Sequence, residues 1–134
     1  MKITRRTDYA IHLIADLSEN PDKPLGLRTL AESHGVTYAF ARTVQQGLLK
    51  AGIVTTARGI NGGIRLARPL SEISLLEVFE AAQDPLDKAF STKGATWCKC
   101  EDGCVSKDMW GSTRDVLGNH LSGIQLNQII VLNK

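Results

Sequence analysis

Three cysteines, Cys98, Cys100 and Cys104, stand within seven residues of one another as C-x-C-x3-C. Thiolates held this close repel one another unless a cation neutralises them, and soft sulfur donors select a soft metal or an iron–sulfur cluster. Zinc asks for four N, S or O ligands in a tetrahedron. Iron–sulfur clusters also ask for four, with histidine able to replace some cysteines. The segment supplies three, so a filled site needs a further donor; the alternative is three reduced thiols. An odd number of cysteines confined to one short stretch does not build a disulfide framework, which points to a reducing compartment and a cytoplasmic location.

A second set of residues suits contact with a nucleic acid. Thr37, Tyr38, Arg42, Thr43 and Gln46 alternate with Phe40, Val44, Leu48 and Leu49, which recur at helical spacing. The polar group would therefore lie away from the packed face. Arginine bonds guanine bidentately, glutamine bonds adenine, and hydroxyls reach base or phosphate. Further on, Arg58 and Arg65 flank the glycine-rich tip Gly59-Ile60-Asn61-Gly62-Gly63. Such a tip can approach a DNA backbone closely or enter the minor groove, where arginine meets a stronger negative potential.

The elements that must position these groups follow from periodicity and punctuation. Thr4 is placed to cap a helix with Ala10, Ile11, Leu13, Ile14 and Leu17 inward, which stops at Asn20-Pro21-Asp22. A short helix from Leu25 to His34 ends at Gly35, and Thr37 caps a third that runs to about Ala51 and closes at Gly52. The period then changes: Ile53–Arg58 and Ile64–Arg68 read as two strands of a hairpin, ended by Pro69. Ser74 caps another helix with Leu75, Val78, Phe79 and Ala82 inward, and Pro85–Trp97 reads as a surface loop. A long helix from Val105 to His120 follows the cysteines with an apolar stripe of Met109, Trp110, Val116, Leu117 and Leu121, and a short apolar segment from Ile124 to Val131 finishes the chain. The expected fold is mainly α with a small β-hairpin wing: a winged helix-turn-helix region over residues 1–69, and a cysteine loop with a long dimerisation helix over residues 70–134, joined as one integrated domain.

The 134 residues carry a net charge of only +2, yet the two halves differ. Residues 1–69 hold ten Lys/Arg against five Asp/Glu, and residues 70–134 hold six against nine. The first half suits a polyanion and the second does not. No apolar run is long enough to cross a bilayer, and no apolar signal core follows the N-terminus. No Ser-His-Asp or Cys-His arrangement, phosphate loop or dinucleotide fingerprint is present, which argues against an enzyme.

Several stretches are similar to the IscR/NsrR family of Rrf-type transcriptional regulators: Met1-Lys2-Ile3-Thr4 with Asp8-Tyr9-Ala10, Leu30-Ala31-Glu32, Leu49-Lys50-Ala51-Gly52-Ile53-Val54, and the wing Arg58-Gly59-Ile60-Asn61-Gly62-Gly63-Ile64-Arg65-Leu66-Ala67-Arg68-Pro69. The likeness continues through Ser74-Leu75-Leu76-Glu77-Val78 to Trp110, Leu117, Leu121 and Ile124-Gln125-Leu126. The resemblance implies a winged-helix homodimer on a double-stranded DNA operator, with an iron–sulfur cluster at the dimer interface whose redox state or reaction with nitric oxide alters DNA affinity. It also implies that the first helix of one subunit reaches the cysteine loop of the other, which places Asp8 and His12 as the missing donors. Their i, i+4 spacing puts them on one helical face.

The chain departs from the family's cysteine pattern. Cys98 and Cys104 fall on two of the three usual positions, the first falls on Thr92, Cys100 is additional, and Lys107 stands where some relatives have histidine. Three cysteines with Asp8 suit a 4Fe–4S cluster. Two cysteines with Asp8 and His12 suit a 2Fe–2S cluster, the preferred form because both non-cysteine donors are present. The alternative is a cluster-free or zinc-bound regulator that senses through a small molecule or a partner protein.

Overall fold

The computed structural model describes residues 2–83, 85–92, 95–99 and 104–130. It begins with α1 (Arg5–Glu19), capped by the Thr4 hydroxyl, which accepts from the Thr7 amide at 3.3 Å. Tyr9, Ala10, Leu13, Ile14 and Leu17 are buried on one face of α1. Each fully buried Leu or Ile contributes roughly 1.5–3 kcal/mol, so this helix anchors the core. Around it stand α2 (Leu27–Ser33), α3 (Tyr38–Lys50) and α4 (Leu75–Ala82), with the hairpin β1 (Val54–Ala57) and β2 (Gly63–Leu66) at one side.

The turn between α2 and α3 sets the direction of α3. Gly35 has φ 64, its amide donates to the Glu32 carbonyl, and the Val36 amide reaches back to Ala31 at 3.0 Å. This is a Schellman closure, which a residue with a Cβ would strain. The next residue, Thr37, caps α3 by accepting from the Phe40 amide at 3.1 Å. The third helix ends in the same way, with Ile53 donating to Leu48 at 3.0 Å.

Strands β1 and β2 pair antiparallel with Val54 opposite Leu66 and Ala57 opposite Gly63. Leu25 and Ile64 exchange two backbone hydrogen bonds at 2.9 and 2.8 Å, which tie the hairpin to the connection before α2. That bridge explains why α2 starts at Leu27 and not at Leu25. Past the wing, Ser74 and Glu77 form a complete capping box on α4.

The stretch expected to be a loop contains one helical turn, α5 (Leu86–Ala89). Pro85 fixes the entry with φ −56, and Leu86 is buried. The long helix α6 (Val105–Ser122) packs on α4 and α5. The chain then returns to the core: Leu75 donates to Ile124, Leu126 donates to Ile73, and α7 (Leu126–Ile130) buries Leu126 and Ile130. Among the described residues no helix is long and apolar enough to cross a membrane.

The packing of α3 on α4 is closest at Gly47, where an added Cβ would lie 2.3 Å from the Ala81 carbonyl oxygen. Alanine inside a helix ordinarily gains up to about 1 kcal/mol over glycine. Here the backbone contact reverses the sign, and Gly47→Ala is expected to destabilise the fold by roughly 1–3 kcal/mol through overpacking. Thermal unfolding checks this; an unchanged or raised Tm contradicts the close approach.

Candidate nucleic-acid interface and metal centre

Helix α3 divides cleanly into two faces. Ala41, Val44 and Leu48 are buried, while Thr37, Tyr38, Arg42, Thr43 and Gln46 are all exposed. The sequence-predicted polar set therefore lies together, along one side of the helix and at its N-terminal turn. At the wing, Arg58, Gly59, Asn61 and Arg65 are exposed, and Ile60 stands fully in solvent at the tip.

One arginine fastens the base of the wing to the end of α3. Arg68 donates from Nε to the Gly52 carbonyl at 3.1 Å, from Nη1 to the Glu72 carbonyl at 2.7 Å, and pairs through Nη2 with Glu77 Oε1 at 3.0 Å. A single guanidinium thus joins the end of α3, the segment just past β2 and the cap of α4. It is a positioning residue, one that the sequence reading did not single out.

Asp8 and His12 lie on the outer face of α1, opposite the core. Their side chains are 68% and 57% exposed, with His12 Nε2 at 3.6 Å from Asp8 Oδ2. Beside them the ring of His34, in the cap of α2, lies 5.4 Å from that of His12 and bonds Asp16 Oδ2 through Nε2 at 2.6 Å. Tyr9 packs against both His34 and Phe40. Burial pushes the Tyr9 hydroxyl up from its ordinary range, and the charge of Asp16 adds to this. The outer face of α1 is thus in contact with the turn that aims α3. His34 was missed because its partners lie on a helix eighteen and more residues earlier.

Cys98 and Cys104 are half-buried. The Cys98 thiol donates to Thr92 Oγ1 at 3.2 Å, so the residue at the family's first cysteine position sits directly against the second. Cys98, Thr92 and Lys107 share an open groove with the outer side of α6. Cys100 lies outside the described residues. Among the described residues no three His, Cys, Asp or Glu side chains gather into a metal site within one chain. Asp8 and His12 form one pair of donors, on α1; Cys98 and Cys104 flank the loop before α6.

Residues 3–131 match the Rrf2 family, described as "Iron-dependent Transcriptional regulator". The chain belongs to the Rrf2 family. Protein aau3 of Rhizobium meliloti (strain 1021) is 35% identical over 105 residues, a match that covers 78% of this chain and 68% of that protein. The HTH-type transcriptional regulator IscR of Photorhabdus laumondii subsp. laumondii is 28% identical over 131 residues, covering 97% and 79%. Among solved structures, CymR, the global cysteine regulator of B. subtilis, aligns over 100% of this chain and 99% of its own with a TM-score of 0.77 and 19% identity. The fold is that of the Rrf2 winged-helix regulators, and the protein is a DNA-binding transcriptional regulator, not an enzyme.

In this Rrf2 protein the Arg68–Glu77 pair gives stability a dependence on pH. Burial pushes the Glu77 carboxyl up, but the Ser74 amide, Arg68 and the Ser74 hydroxyl favour the charged form more strongly, and the net shift is downward. A carboxylate whose pKa is lowered on folding contributes stability that is present above the unfolded value and is lost as pH falls through the folded one. Glu77→Gln is therefore expected to lower stability at neutral pH and to flatten its decline in acid. Chemical denaturation at a series of pH values checks this; parallel curves for the two proteins contradict it.

Proposed function

We propose that this protein is a homodimeric, sequence-specific regulator whose DNA affinity depends on an iron–sulfur cluster held between subunits. The observation that carries the reading is the double engagement of α1: one face packs in the core beside α3, and the other carries Asp8 and His12 exposed on one side. A donor pair so placed can reach another subunit while it remains rigidly joined to the reading head.

The donor chemistry fits the group. Two half-buried thiols and an exposed carboxylate–imidazole pair make four donors of the types that clusters accept. Cys98, Cys104, Asp8 and His12 would hold a 2Fe–2S cluster, with Cys100 spare; Cys100 in place of His12 would suit the 4Fe–4S form. Bound there, the cluster would supply a centre sensitive to redox state or nitric oxide. Asp8 and His12 would bond from one subunit and the thiolates from the other, fixing the angle between the two reading heads.

The long helix supports a twofold dimer. Val105, Met109 and Val116 are 73%, 59% and 68% exposed, and their spacing places them in one stripe along α6. An apolar stripe of this kind is covered economically by its own symmetry mate. Thr37, Tyr38, Arg42, Thr43 and Gln46 of each subunit would then enter successive major grooves, with Arg58, Gly59, Asn61 and Arg65 at the backbone or minor groove.

A second reading is a cluster-free or zinc-bound regulator that senses a small molecule or partner protein. The likeness to CymR in fold and the presence of Thr92 at a family cysteine position favour it.

Anaerobic purification followed by visible absorption and iron and sulfide assay separates the two. The cluster reading expects a coloured protein that loses absorption in the Asp8→Ala, His12→Ala double variant, with two irons per chain for the 2Fe–2S form. A colourless protein, or absorption indifferent to the double variant, overturns it. On DNA, Arg58→Ala is expected to weaken binding to all sequences alike, whereas Arg42→Ala relaxes preference at one base position. Unchanged affinity and preference in both variants would contradict the reading surface.

A further inference from the structure

Two arginines outside the reading set are seated on aromatic rings at the first turn of α3. The Arg28 guanidinium, from α2, lies 4.6 Å from the centroid of Tyr38. That of Arg5, from the start of α1, lies 5.5 Å from the centroid of Phe40, and its Nη2 donates to the Gly35 carbonyl at 3.5 Å. Tyr38 and Phe40 are two positions apart, so their rings leave the helix on opposite sides and the arginines flank its N-terminal turn.

Neither arginine has a carboxylate within ion-pair distance among the described residues, although both are exposed. Arg68 and Arg114 differ, each being neutralised by acidic partners. A guanidinium held over a ring is restrained without being neutralised, and it keeps N–H donors for an anion. Arg5 opens on a cleft of about 440 Å³ shared with Arg6. These are preset, charge-bearing forks without a carboxylate partner among the described residues.

We infer that Arg5 and Arg28 are a pair of phosphate clamps, one on each side of α3, that grip the two backbone walls of the groove it enters. The inference rests on the DNA-reading role of α3 proposed above. An α-helix is about 10–12 Å across with its side chains, and the major groove is about 12 Å wide. A helix inserted there leaves groups on its flanks facing the sugar–phosphate walls and not the base edges. Both arginines sit on flanks. Phosphate contacts of this kind fix register and orientation without reading sequence, and each neutralised phosphate releases condensed counterions. Tyr38 then acts as the seat of Arg28 and not as a base reader, which refines its place in the predicted set.

Binding of the full-length protein to a duplex containing its operator, and to a scrambled duplex, tests this across a range of salt concentrations. Arg28→Ala and Arg5→Ala are each expected to lower the slope of log K against log salt by about 0.9 per subunit engaged, with a similar fold-loss on both duplexes. Arg28→Lys keeps the slope, because charge remains, while Tyr38→Ala lowers affinity and Tyr38→Phe does not. Thermal unfolding of each variant establishes that it is folded; Arg28→Gln replaces Arg28→Ala if the latter is not. A slope unchanged by removal of either arginine, or a loss confined to the operator sequence, overturns the clamp while leaving DNA binding intact. A parent protein that binds neither duplex overturns the DNA-reading role itself, and the clamp with it.

Discussion

The structure depends on the burial of α1. Ala10, Leu13, Ile14 and Leu17 are removed from water against α3, α4 and the wing strand β2, so any force on the exposed side of this helix is delivered to the reading head without an intervening linker. Its outer face is free to carry polar groups because the inner face is fully committed. Asp8 and His12 use that freedom, and His34 extends it by bringing the turn before α3 into contact with the same surface. Coupling between the proposed sensory site and the proposed reading helix needs an element that both bias; α1, which carries Asp8 and His12 and packs on α3, is placed to be that element.

The reading head is rigid for complementary reasons. The Schellman closure at Gly35, the Thr37 cap and the close contact of Gly47 with Ala81 fix the direction of α3. Arg68 joins the end of α3, the base of the wing and the cap of α4 through four partners, and together with the Leu25–Ile64 backbone bonds it fixes the hairpin beside the reading helix. Arg5 and Arg28 stand apart from this framework. Aromatic rings hold them in place without neutralising them, which leaves their charge for a polyanion.

Much of the fold was legible in the sequence because its signals are local. Thr4, Thr37 and Ser74 announce helix starts, Gly35 and Gly52 announce helix ends, and the change of period at Ile53 announces the hairpin. The exposed side of α3 followed from spacing alone. What escaped were features set by distant partners: the Leu25–Ile64 bridge that delays α2, the burial of Leu86 that turns a predicted loop into α5, and the return of Leu126 and Ile130 to the core. The seating of Arg28 on Tyr38 and the His34–Asp16 bond join residues from different elements, which no period in the sequence encodes. The Cys98–Thr92 contact was visible only as a departure from the family pattern.

Donors contributed by opposite subunits can be distinguished from donors within one chain by mixing two defective proteins. Chains with Asp8→Ala and His12→Ala keep the thiols, and chains with Cys98→Ala and Cys104→Ala keep the carboxylate and imidazole; neither homodimer holds a complete set. The measurement is iron content and visible absorption of the isolated mixed dimer, reconstituted without air. Ligation across the interface predicts one cluster per mixed dimer, half the parent's content. Mixed dimers as empty as both defective homodimers would contradict it.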